Sequence, residues 1–106
     1  MDPETTLPQV LMEAAECAAI AVAPLIGSRK PKQVDGAAVS AMRSVLNESP
    51  YSFGFTACEG ARDDSPGFEA GERLGSGGPQ WSLAADPVDG TRVCAEASGS
   101  CLTCIM

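Results

Sequence analysis

Trp81-Ser82-Leu83-Ala84-Ala85-Asp86-Pro87-Val88-Asp89-Gly90-Thr91 changes character halfway along. Residues 81–85 are a short apolar run with the length of a buried strand. The next six have the composition of a turn: Pro87 fixes one backbone angle, Gly90 allows a tight bend, and Asp86 and Asp89 stand three positions apart, where their carboxylates can converge. Magnesium and manganese take oxygen ligands, so Asp86, Asp89 and the Val88 carbonyl suit such a cation, with the Thr91 hydroxyl at the edge. An isolated Asp-Pro after a strand would be an ordinary acidic turn. The complete six-residue string favours a preformed cation site.

Upstream, apolar residues at Leu11, Ala14, Ala15, Ala18, Val22 and Leu25 recur every three or four positions, which predicts a helix over residues 8–25. Pro8 is tolerated in a first turn, and Pro24 with Gly27 ends the pattern. A loop is expected over residues 28–34. Asp35, standing as an N-cap, then opens a second helix with Val39, Met42 and Leu46 on one side, ending near Asn47 before Pro50. Tyr51-Ser52-Phe53-Gly54-Phe55-Thr56-Ala57 alternates aromatic and small residues as a strand does, and Glu59 falls just past its end. Residues 59–80 hold six glycines and five acidic residues, which predicts a long loop with little core, a feature often given over to function. Residues 100–106 read as a last strand. The expected fold class is α/β, helices layered on a sheet, with a tail over residues 1–8 and one domain over residues 9–106.

Fourteen acidic against seven basic residues give a net charge of -7, which opposes attraction to a nucleic acid backbone. The one basic cluster, Arg29, Lys30 and Lys32, has no interleaved aromatic residues and reads as a solvated loop. The apolar run over residues 10–26 is interrupted by Glu13, Glu16 and Pro24 and falls short of a bilayer-spanning helix, so no membrane association is expected. Met1-Asp2-Pro3-Glu4 is acidic, unlike the basic start of a targeting segment. Five cysteines stand with no histidine, and the single Cys-x-x-Cys pair, Cys101 and Cys104, does not assemble a four-ligand zinc site. Buried structural thiols in a reducing compartment are expected.

Asp86-Pro87-Val88-Asp89-Gly90-Thr91 resembles the signature of the lithium-sensitive sugar and inositol phosphatase superfamily, and its surroundings resemble the class II fructose-1,6-bisphosphatase branch. Val34-Asp35-Gly36-Ala37-Ala38-Val39-Ser40-Ala41-Met42-Arg43 is similar to that branch's Ala-Asp-Gly-Ala-Ala-Val-x-Ala-Met-Arg. Cys58-Glu59-Gly60-Ala61-Arg62-Asp63-Asp64-Ser65-Pro66 is similar to its Gly-Glu-Gly-Glu-x-Asp-Glu-Ala-Pro, and Gly71-Glu72-Arg73-Leu74-Gly75 to its Gly-Glu-Lys-Val-Gly. Order and spacing agree over residues 9–106.

The resemblance implies the first part of the sugar-phosphatase fold. It implies that Asp35, Glu59, Asp86 and Asp89 ligate Mn2+ or Mg2+, and that Asp63, with the Thr91 hydroxyl, orients and deprotonates the attacking water. The implied reaction is hydrolysis of the 1-phosphate of fructose 1,6-bisphosphate, with sedoheptulose 1,7-bisphosphate a second substrate, in a cytoplasmic or plastid setting. Read singly, Asp35 is a helix cap, Glu59 a strand-end charge and Asp63 a turn former.

Four departures bear on that reading. Ala61 replaces a glutamate, and Pro31 stands where the family's Gly-x-Gly-Asp-Lys loop has its lysine. Ser82 replaces an aspartate, and Asp89 stands where many members have glutamate. Family members are longer and carry their basic substrate-binding residues and a further metal-ligating glutamate beyond the region matched here, so an N-terminal portion is expected, with homo-oligomers expected only of a longer form. The competing expectations are a non-catalytic fragment and a related inositol or sugar phosphatase.

Overall fold

The computed structural model describes residues 4–58, 68, 71–99 and 101–106. Its first helix, α1 (Leu7–Val22), starts where Thr6 stays extended: Thr6 Oγ1 accepts the Gln9 amide at 3.5 Å, and Gln9 Oε1 accepts the Thr6 amide at 2.8 Å. Two amide groups with no helical partner are satisfied reciprocally. Pro24 has no N–H to donate and its ring crowds the preceding turn. The α-helix therefore stops at Val22, and a 3-10 turn, Ala23–Leu25, completes the element.

Leu7–Leu25 spans 19 residues and is, by length and composition alone, apolar enough to cross a bilayer. That corrects the shorter span read from the sequence, where Glu13 and Glu16 were counted as interruptions. Both lie on the exposed side, while Val10, Ala14, Ala18 and Val22 pack into the core.

Helix α2 (Pro31–Glu48) begins ahead of its expected start. Proline suits the first helical position, where its missing N–H has no partner to lose and its backbone angle is already helical. The loop expected over residues 28–34 is shortened accordingly, and Asp35 lies within the helix instead of capping it. Helix α2 buries Val34, Ala38, Val39, Met42, Val45 and Leu46, and packs chiefly on α1.

Ser49 closes α2 and is 0% exposed. Its Oγ donates to the Leu46 carbonyl at 2.7 Å and accepts the Tyr51 amide at 3.4 Å, and its carbonyl takes the Ser76 hydroxyl at 2.8 Å. Ser49→Ala strips the hydroxyl from the Leu46 carbonyl, in a buried bond, and from the Tyr51 amide, in a part-buried one. The expected loss is about 1–2 kcal/mol in urea unfolding, against a change within about 0.5 kcal/mol for Ser44→Ala on the exposed side of the same helix.

The sheet has the order β2-β1-β3-β4. Strand β1 (Ser52–Cys58) runs parallel to β3 (Gln80–Asp89) and antiparallel to β2 (Arg73–Gly75), and β4 (Leu102–Ile105) runs antiparallel to β3. Phe53 and Phe55 point into the core, as the aromatic-small alternation predicts. Residues 73–75 were expected to be loop. They pair with β1 because Leu74 sits opposite Phe53 and packs against the same core.

Strand β3 departs most from expectation. Trp81 is 48% exposed where a buried strand start was expected, and the strand continues through Asp86-Pro87-Val88-Asp89 where a turn was expected. Strand β4 extends it: Asp86 pairs with Cys104 and Asp89 with Leu102, an uneven register that accommodates Pro87, which has no N–H for a ladder. The bend is deferred to Gly90, at φ 95. It leads into a six-residue helix, α3 (Thr91–Glu96), too short to show a hydrophobic period in sequence.

Candidate active site

Of the parallel pair, β1 ends at Cys58 while β3 runs on to Asp89. Cys58 is registered with Ala85, so Asp86 is the next residue of β3 at the carboxyl end of the sheet, where ligands of parallel strands collect. Asp86 is half-buried, and Asp89, at the end of β3, is exposed.

Two helices contribute the other described groups. Asp35, half-buried on α2, accepts the Thr91 hydroxyl at 2.8 Å from Thr91 Oγ1 to Asp35 Oδ1. Thr91 is the first residue of α3, and its Oγ1 also lies 3.1 Å from the Val88 carbonyl oxygen. A hydroxyl has one proton, and the closer, charged acceptor makes the stronger bond. Thr91 therefore donates to Asp35 and keeps its lone pairs to accept from another group. The loop between α1 and α2 fixes this pairing: the Gly27 amide donates to the Cys94 carbonyl at 3.0 Å and the Arg29 amide to the Ala95 carbonyl at 2.7 Å. The start of α2 is thus fastened to the end of α3.

The structure brings Asp35, Thr91 and the Val88 carbonyl together, and places Asp86 and Asp89 on the strand that carries Val88. Glu59 and Asp63 lie outside the described residues. Among the described residues, no three His, Cys, Asp or Glu side chains group as a metal site. The described donors are all oxygen, a set whose chemistry fits Mg2+ or Mn2+ and not a thiolate-seeking metal.

The sequence reading missed a set of contacts among Arg43, Phe55, Phe68 and Glu72. Arg43 donates to both carboxylate oxygens of Glu72 at 2.9–3.0 Å, and its guanidinium lies 5.1 Å from the centre of the Phe68 ring. Phe68 stacks on Phe55 at 4.2 Å between centroids, the Gly71 amide donates to the Phe55 carbonyl at 2.9 Å, and the Phe55 amide donates to the Glu72 carbonyl at 3.0 Å. An arginine directly after buried Met42 was the available signal, since a half-buried cation requires a partner.

The cysteines differ from the expected uniformly buried set. Cys17, Cys94 and Cys101 are free; Cys94 is buried, Cys17 half-buried and Cys101 exposed. Burial pushes the Cys94 thiol up to about 11, helped by its contact with Cys101. A raised pKa means that the folded state holds its proton where the unfolded state has lost it. The stability this contributes is complete below pH about 9 and is lost as pH rises towards 11. Urea unfolding should therefore show stability falling through that window in the native chain, and falling less steeply in Cys94→Ala.

Comparison with known proteins adds the family. The family described as "Bacterial fructose-1,6-bisphosphatase, glpX-encoded" matches residues 5–106. A D-fructose 1,6-bisphosphatase class 2/sedoheptulose 1,7-bisphosphatase of Prochlorococcus marinus (strain MIT 9313) is 42% identical over 93 residues, 87% of this chain and 28% of the relative. Proteins of the same name from Parasynechococcus marenigrum (strain WH8102) and Synechococcus sp. (strain RCC307) are 41% and 40% identical over 93 and 95 residues, covering 87% and 89% of this chain and 28% of each relative. The chain thus spans about 28% of the length of the curated relatives it matches. With nearly all of its residues matched, and with the strand ends, the Asp35 helix and Thr91 arranged as described, the chain belongs to the glpX-encoded bacterial fructose-1,6-bisphosphatase family.

Proposed function

We propose that this chain supplies the metal-binding and water-activating part of a phosphoric monoester hydrolase that removes the 1-phosphate of fructose 1,6-bisphosphate, with sedoheptulose 1,7-bisphosphate a second substrate. The observation that carries this reading is the 2.8 Å bond from Thr91 to Asp35. With its proton committed to that carboxylate, the Thr91 oxygen can only accept, which is what orienting a water molecule for attack requires. Asp63 is the proposed partner that takes the water's proton. Asp35, Glu59, Asp86 and Asp89 would hold Mn2+ or Mg2+, which, when bound, lowers the pKa of water and offsets charge on phosphoryl oxygens. The Cys58–Ala85 register supports the grouping, since Glu59 and Asp86 are the residues that follow that pair. Neither nucleic acid nor membrane enters the proposal, and a cytoplasmic setting suits a sugar-phosphate substrate.

A second reading, a polypeptide that keeps the fold without turnover, is favoured by Ala61, which stands where the family segment has a glutamate. Phosphate release from fructose 1,6-bisphosphate by the purified 106-residue chain, with and without Mn2+, separates the two. Metal-dependent release abolished in Asp86→Asn supports the hydrolase. Release no faster than in buffer supports the inert polypeptide.

A further inference from the structure

Arg92 and the one basic cluster, both left without a role by the proposed hydrolysis, border a single cleft. Arg29, from the loop before α2, and Arg92, from α3, line a cleft of about 410 Å³ together with Pro31, Ala95 and Glu96. This is the size range of small-molecule sites. Four of the chain's seven basic residues, Arg29, Lys30, Lys32 and Arg92, belong to the segments that border it, in a chain of net charge -7. Arg43, by contrast, is committed to Glu72. Among the described residues, neither Arg29 nor Arg92 has an ion-pair partner, although Glu96 stands one helical turn from Arg92 on α3.

The arrangement is held in place. Arg29 has φ 62, a left-handed conformation that a non-glycine residue keeps only where its surroundings impose it. Its amide is bound to the Ala95 carbonyl at 2.7 Å, so one wall of the cleft fixes the backbone of the arginine on the other wall. Both arginines line the one cleft, and their planar donor forks match the oxygens of a tetrahedral oxyanion. The Glu96 carboxylate would repel an anion but could accept hydrogen bonds from hydroxyl groups of a ligand.

We infer that the Arg29/Arg92 cleft binds a phosphate group, from either free inorganic phosphate or the phosphate ester of a polyol, beside the Asp35–Thr91 pair. Arg92 follows Thr91 directly, and Pro31 precedes Asp35 by about one turn of helix. The inference rests on the sugar-phosphate reading only for the natural source of the ligand. Phosphate binding at this cleft does not require that the chain hydrolyse anything.

The test is an NMR titration of the full 106-residue chain with arginine side chains labelled, following the Nε–H resonances of Arg29 and Arg92. Inorganic phosphate at constant ionic strength should shift both saturably, while chloride should not. Arg29→Gln and Arg92→Gln should each weaken binding about tenfold, while Arg73→Gln, on β2, leaves it unchanged. Backbone spectra of the variants report whether the fold is kept. In a parallel arm without divalent metal, tighter binding of fructose 1,6-bisphosphate than of inorganic phosphate identifies an ester as the occupant, and equal binding identifies the free ion. Shifts that do not saturate, that chloride reproduces, or that persist undiminished in the Arg29→Gln/Arg92→Gln double variant overturn the inference. Because no turnover is measured, an inert chain that binds phosphate would sink the hydrolase and leave the cleft standing.

Discussion

Thr91→Val should reduce the proposed fructose 1,6-bisphosphate turnover by about 10²–10⁴-fold, the usual range for losing one positioned proton-transfer group. Valine keeps the branched shape and the first position of α3, so packing around Cys94 and Ala95 is preserved. What it removes is the oxygen that donates to Asp35 at 2.8 Å and faces the Val88 carbonyl at 3.1 Å. The loss should fall on kcat, with KM little changed, because the proposed role of the hydroxyl is to act on the water and not on the sugar. Thr91→Ser restores the oxygen and should recover most of the activity. If Thr91→Val lowered urea stability by as much as it lowered rate, with no recovery in Thr91→Ser, the residue would be a structural cap and not part of the chemistry.

Gly75→Ala should destabilise the fold by about 3 kcal/mol or more, a large share of the ~5–15 kcal/mol that holds a typical domain together. Gly75 ends β2 opposite Ser52, at φ 111, a backbone conformation that side chains rarely adopt. A Cβ there would also be driven into the Tyr51 carbonyl oxygen, which already accepts the Ser76 amide. Backbone strain and collision therefore add. Gly71 and Gly77 separate the two contributions: both have positive φ, 89 and 91, but a Cβ on either meets nothing within 4 Å. Gly71→Ala and Gly77→Ala should cost about 1–2 kcal/mol each, measured as a shift in urea midpoint. Three equal losses would mean that the Tyr51 collision relaxes freely.

The two helices were legible because α1 and α2 each carry a full apolar stripe several turns long, and β1 because Phe53 and Phe55 alternate with small residues. What was not legible depends on partners distant in sequence. Asp35 reads locally as a cap, but Pro31 starts the helix earlier, and only α3 shows that the carboxylate faces Thr91 across 56 positions. Asp86-Pro87-Val88-Asp89 reads locally as a turn, because Pro87 argues against a strand and nothing in the stretch announces that β4 will pair with it around a bulge. Arg43 and Glu72 could each be matched to a family segment without revealing that they pair. Arg29 is the exposed loop residue the sequence suggests, but the bond from its amide to the distant Ala95 carbonyl could not be read there.

Saturable uptake of Mn2+ by the 106-residue chain, followed by loss of the free-ion signal in electron paramagnetic resonance, tests most directly whether Asp35, Glu59, Asp86 and Asp89 share cations. Uptake that saturates in the native chain and is abolished in both Asp35→Asn and Asp86→Asn is the predicted result. No saturable uptake, or uptake that survives both substitutions, would contradict the shared site.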